Sequence, residues 1–209
     1  MHFAHLFCLR SGHSRGAAFF VWKEGKMPKN QFQRAIFALL TVIVTVHAYI
    51  FYSIYVIHGS TFISNVPGCT GVLDAVRSMG GVPMFGTNLP IWSVVLVEFI
   101  CAYALELSIG SPWSFKLTCK VFDPRDTHPV MFETAIISAT VGIICPAMSF
   151  LAALFYYPYP YQTFNIFTLL ANWLQLVCYN FPFAFFSQLF FIQPLIRTIF
   201  RRLFRNTPD

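Results

Sequence analysis

Four separated apolar stretches, each long enough to cross a bilayer, constrain this chain more than any other feature. They lie at Ala35–Ile57, Leu89–Ile109, Phe132–Tyr156 and Phe167–Phe191. A helix needs about 20 mostly apolar residues to span the hydrocarbon core. Inside lipid the backbone has no water to bond, so it must satisfy its own polar groups, as a helix does. The expected fold is an all-α membrane protein with four transmembrane helices. Of 209 residues, 56% are hydrophobic and 11% charged, where a soluble domain carries roughly 25% charge. The length suits one small helical bundle and leaves no room for an added soluble domain.

The net charge of +6 raises nucleic acid as a partner, but the distribution of the charge argues against it. Thirteen of the fourteen Lys and Arg fall in three places: Arg10 to Arg34, then Lys116, Lys120 and Arg125, then Arg197, Arg201, Arg202 and Arg205. Only Arg77 lies elsewhere. Lys and Arg collect in cytoplasmic loops beside membrane helices. Both termini and the middle loop are therefore expected in the cytoplasm, and the connections near 58–88 and 157–166 outside. Four spans satisfy this alternation without conflict.

The six cysteines, Cys8, Cys69, Cys101, Cys119, Cys145 and Cys178, include no CxxC and no pair sharing an outer loop. Neither a disulfide framework nor a zinc site is expected; they read as small apolar side chains. The segment 1–26 mixes His, Arg and Gly with one short apolar run, and a different text opens at Met27. This segment reads as an upstream, disordered extension with Met27 as the natural start, or else as a cytoplasmic arm that touches anionic lipid. The Gly- and Pro-rich connection from His58 to Asn88 opposes a long helix but allows a short one at Val72–Met79. Tyr156, Tyr157, Tyr159 and Tyr161 suit an interfacial aromatic belt.

An internal repeat organises the rest. With Glu98 laid on Asn180, the second span and its tail fall on the fourth. In that register Glu106 falls on Gln188, Pro112 on Pro194, Lys120 on Arg202 and Phe122 on Phe204, while Trp92 falls one place from Trp173. Each unit, 27–125 and 126–209, is then a helical hairpin that starts and ends on the cytoplasmic side. The two units are parallel repeats about a pseudo-twofold axis along the membrane normal.

The opening MPKNQFQR at 27–34, LPIW…VEF at 89–99, CPAMSF at 145–150 and NWLQLVCYNFPFAFFSQLFF…PLIRTIFR at 172–201 resemble a bacterial domain-of-unknown-function family of small multi-pass inner-membrane proteins. Its members include two-helix forms and four-helix forms that look like tandem copies. The resemblance covers about residues 27–205 and is most specific in the C-terminal block. It implies a bacterial inner-membrane location and no established activity. The extension at 1–26 and a long, Gly-rich outer loop depart from the family pattern.

Glu98, nine residues into its expected span, is the sharpest candidate for chemistry. At 1.5 Å per residue it lies about 13 Å down the axis, close to the midplane. An ionised carboxylate there costs at least ~2.5 kcal/mol, so Glu98 is expected to be protonated, paired or facing water. It either bonds a neighbouring helix or handles a proton or cation. His47, at similar depth on the antiparallel first helix, could meet it and complete a proton relay; otherwise it packs helices. Asn180, at the depth of Glu98, completes a candidate polar midplane site. Glu106 and Gln188 form a secondary polar site nearer the cytoplasmic ends. Pro146 and Pro182 are expected to kink the third and fourth helices.

Lys116, Lys120, Arg197, Arg201, Arg202 and Arg205, with apolar residues beside them, read as amphipathic tails on anionic lipid headgroups of the cytoplasmic face. No metal site, cofactor or catalytic motif is expected, since phosphate loops, HExxH, GxSxG and paired Cys/His spacings do not occur. The partners implied are membrane lipids, with homo-oligomerisation left open. The leading expectation is an inner-membrane carrier or channel-like unit. A non-transporting accessory or scaffold protein is the alternative, and a redox or lipid-modifying membrane enzyme a third class.

Overall fold

The computed structural model describes residues 30–158 and 163–204. The expectations for 1–26, Tyr159, Tyr161 and Arg205 lie outside the described residues. Four helices are long and apolar enough to cross a membrane: Gln31–Ile57, Ile91–Val121, Pro129–Phe155 and Ile166–Leu203. We refer to these as the first to fourth spans.

The first span is α1 (Gln31–Phe51) continued by a wider π-helical turn, Tyr52–Ile57. Val42, Val46, Ile50 and Ile54 are buried along it at four-residue spacing, the stripe that a 3.6-residue period turns toward one side. Two short helices follow, α2 (Gly59–Asn65) and α3 (Val72–Ser78), then a two-stranded antiparallel hairpin of β1 (Val82–Met84) and β2 (Thr87–Leu89). α3 is the short helix expected in this loop, whereas the hairpin is not anticipated by the sequence. Gly81 enters it with φ +135, and a Cβ there would run into the Leu89 carbonyl. The hairpin turns at Phe85 and Gly86, both with positive φ (53° and 76°). Tight hairpins favour that geometry and usually place Asn or Gly there; Phe85 adopts it under strain. Its N–H donates to the Phe155 carbonyl at 2.7 Å and its ring tilts onto the Phe155 ring at 4.9 Å. The hairpin is thereby hooked onto the end of the third span.

The second span comprises α4 (Ile91–Leu105), a π turn at Glu106–Gly110 and α5 (Ser111–Val121). The third is α6 (Pro129–Phe155). The fourth comprises α7 (Ile166–Ser187), a π turn at Gln188–Ile192 and α8 (Gln193–Leu203). The tails expected as separate amphipathic segments are thus continuous with their spans. Pro112 and Pro194 explain the wide turns. A proline has no N–H to donate and its ring strikes the carbonyl four residues back, and a π turn relaxes that crowding. The Ser111 N–H reaches back five residues to the Glu106 carbonyl, and the Gln193 N–H does the same to Gln188. These two π turns open at Glu106 and Gln188, positions that the internal repeat lays on each other. Pro146 and Pro182 sit inside α6 and α7, which run as unbroken α-helix past them.

The spans form a ring in which the first packs on the second, the second on the third, the third on the fourth and the fourth on the first. The last contact is aromatic. Phe37 meets Phe200 edge-on at 5.5 Å, and Tyr52 stacks on Phe183 at 4.1 Å with planes 2° apart. The outward surface is apolar, with Phe167 78%, Phe191 72%, Trp92 69% and Trp113 62% exposed. In α5 the buried positions are instead Ser114 and Thr118. An outward surface this rich in large apolar side chains suits lipid, since a soluble bundle turns its apolar stripe inward.

Candidate functional site

The ring encloses an elongated cavity of about 750 Å³. Its wall includes residues of all four spans, from Arg34 at the α8 end to His58 and Pro83 at the hairpin end. Arg34 and Ile57, both lining it, are roughly 35 Å apart along the first span at 1.5 Å per residue.

The first span supplies a polar stripe beside its apolar one. Thr41, Thr45, Tyr49 and Ser53 all line the cavity. The Thr41 and Thr45 hydroxyls donate to the carbonyls of Phe37 and Thr41, so a helix interior tolerates them. Tyr49 reaches across, its hydroxyl donating to the Asn180 carbonyl at 3.3 Å and lying 4.0 Å from the Cys145 sulfur. Tyr52 donates to the Tyr179 carbonyl at 3.1 Å. His47 lies outside this wall. It is exposed, and its Nδ1 stands 2.7 Å from the Ile43 carbonyl. One residue past Val46, it is turned about 100° from the buried stripe, so the expected meeting with Glu98 does not form.

The second span contributes both carboxylates of the expected sites. Glu98 lines the cavity and accepts a hydrogen bond from the Tyr156 hydroxyl at 2.6 Å. Tyr156 follows the last residue of α6, and Glu98 is only seven residues past the start of α4. Glu98 is therefore the middle residue of α4, in the hairpin half of the second span. Burial first, and then the adjacent carboxylate, pushes the Tyr156 phenol above its ordinary range, so the phenol stays a donor. Glu106 also lines the cavity and accepts from the Ser111 hydroxyl at 2.6 Å. Gly110 leaves space there: a Cβ on it would press on the Glu106 carboxylate and the Ile144 side chain. Among the described residues neither carboxylate is paired with a basic side chain.

The fourth span faces them with amides. Asn180 Nδ2 donates to Ser149 Oγ at 3.3 Å, tying the fourth span to the third. Gln188 Nε2 donates to Thr45 Oγ1 at 2.8 Å, tying it to the first. Gln188 Oε1 lies 3.4 Å from Gln193 Nε2, so the pair Gln188–Gln193 occupies the place that Glu106–Ser111 has in the second span. Glu98 and Asn180 share the cavity wall, but Glu98 bonds Tyr156, just past the third span, and Asn180 bonds Ser149 within it, rather than each other.

At the α8 end Arg197 turns inward. Its Nη1 donates to Glu133 Oε2, and its Nε is buried without a partner among the described residues. Arg197 thus lines the cavity, away from the headgroup set in which the sequence placed it. Lys116, Lys120, Arg201 and Arg202 are exposed. In the sequence Tyr156 suits an aromatic belt, while Glu133 and the Thr41–Thr45–Tyr49 stripe carry no assigned role. Only the stripe had a local signal, polar residues at four-residue spacing beside an apolar row; the other two become visible once the spans are packed. Among the described residues no cluster of three or more His, Cys, Asp or Glu is placed to hold a metal. No family model, curated protein or solved structure matches the chain, so the chemistry of its site rests on its own geometry.

Proposed function

We propose that this chain is a multi-pass carrier or channel-like membrane protein, built as two parallel helical-hairpin repeats, whose axial cavity moves a small solute or ion past Glu98. One observation carries the reading: all four spans wall a single cavity, and among the described residues Glu98 and Glu106 in it bond only neutral hydroxyls. A helix bundle held together purely by packing closes over its axis at interior density. The repeat is supported by the matching π turns and by side-chain pairs in the same register. The positive charge at 10–34, 116–125 and 197–205 favours both tails and the middle loop in the cytoplasm of a bacterial inner membrane, with the hairpin outside. With Gly80→Cys the hairpin loop is then labelled by an impermeant thiol reagent on intact cells; labelling only after lysis reverses the orientation.

The flux test uses purified protein in proteoliposomes with an internal pH-sensitive dye. Glu98→Gln keeps a hydrogen-bond acceptor for Tyr156, so the variant folds, and proton flux drops at least tenfold. A folded variant with undiminished flux rejects Glu98 as the site. The second reading is a membrane accessory or scaffold protein whose polar residues only pack helices. The bonds Asn180–Ser149 and Gln188–Thr45 favour it, and absence of flux from the unsubstituted protein selects it.

A further inference from the structure

The cavity's charged residues are unevenly placed. Arg34, Glu106, Glu133 and Arg197 lie toward the α8 end, where charges of both signs stand together. Glu98 is the one carboxylate deeper in, toward the hairpin. The wall there carries Ile50, Ile54, Val94, Met148 and Phe155, with the Tyr156 ring beside them, and its polar groups, Tyr49, Ser53, Ser149 and Asn180 among them, are neutral.

We propose that this part of the cavity binds an amphiphilic organic cation, with Glu98 as its counter-charge and the apolar and aromatic wall around its hydrocarbon body. The proposal rests on the carrier reading above and names the class of its solute. A bare inorganic cation fits the site poorly. Divalent hard ions seek six or more oxygens, and here one carboxylate and one phenol stand within hydrogen-bond distance of each other. Glu106 cannot join Glu98 around a small ion, since two turns of helix separate them by about 12 Å. An anion would meet Glu98 unfavourably. A phosphonium or quaternary ammonium spreads its charge over carbon and loses little hydration on entry. It gains from aromatic faces and matches an apolar wall that carries one carboxylate and otherwise neutral polar groups. The cavity, about 750 Å³ over its whole length, falls within the range of small-molecule sites.

The experiment measures binding of tetraphenylphosphonium and of tetraphenylborate, its anionic counterpart of the same shape, to the full chain in lipid nanodiscs. The expected result is saturable binding of the cation, at least tenfold weaker binding of the anion, and at least a tenfold loss of cation affinity in Glu98→Gln. A second measurement uses the unsubstituted protein. Dicyclohexylcarbodiimide modifies carboxyl groups in apolar sites, and tetraphenylphosphonium should protect Glu98 from it, as read by mass spectrometry of the peptide. Equal binding of both probes, or Glu98 modified at the same rate with the cation present, overturns the proposal. Proton flux through Glu98 without cation binding also overturns it and leaves the carrier reading standing. Cation binding without any flux keeps the site and removes the carrier.

Discussion

The junction at Glu106–Ser111 and the junction at Gln188–Gln193 share a backbone and differ in chemistry. Both are π turns closed by a bond reaching back five residues, and both are followed by a proline. In the second span the first residue is a carboxylate that, among the described residues, is held by the Ser111 hydroxyl alone. In the fourth it is an amide that also ties the helix to Thr45 of the first span. One backbone device therefore serves as a polar lining in one half of the molecule and as a fastening in the other. The proline accounts for what the halves share, and the side chain at the head of the turn decides what each half does with it.

Exchanging the two side chains tests that division. Gln188→Glu has the largest expected effect. It removes the amide donor to Thr45 and adds a further carboxylate to a cavity already lined by Glu98, Glu106 and Glu133, which should destabilise the protein by about 2–3 kcal/mol, seen as a lower midpoint in detergent unfolding. An unchanged midpoint means that Gln188 fastens nothing. Thr45→Val should cost about 1 kcal/mol and, combined with Gln188→Leu, show non-additive losses in a double-mutant cycle. Strict additivity separates the two residues. Glu106→Gln makes the junctions alike in the neutral sense and should change stability by less than ~0.5 kcal/mol, because the amide oxygen still accepts from Ser111. A large loss there would assign Glu106 a fastening role after all.

Much of the fold is legible in the chain. Each apolar stretch becomes a helix, because lipid and helix make the same demand on the backbone. The short helix at Val72–Ser78 follows from the glycines around it. The continuity of the second and fourth helices through Pro112 and Pro194 is less legible. Proline usually reads as a stop, and only the paired π turns show how the helix passes it. Depth along a span could be counted for Glu98 and His47, but facing could not, because facing depends on which neighbours close the ring. Glu98 turned inward and His47 outward for that reason. Tyr156 illustrates the same limit. Its place at a span end suits an aromatic belt, yet the end of the third span stands beside the eighth residue of α4, and its hydroxyl finds a carboxylate.

The hairpin turn at Phe85 bears on the order in which the molecule is assembled. Its strained backbone is stabilised by the Phe155 carbonyl and ring, which the chain reaches only after the whole second span and the third. At translation rates of about 5–20 residues per second, the first two spans and the hairpin wait several seconds before that partner is made. During this interval the hairpin lacks its anchor. It can lock only after the third span has entered the bundle, and doing so ties the first half of the chain to the second.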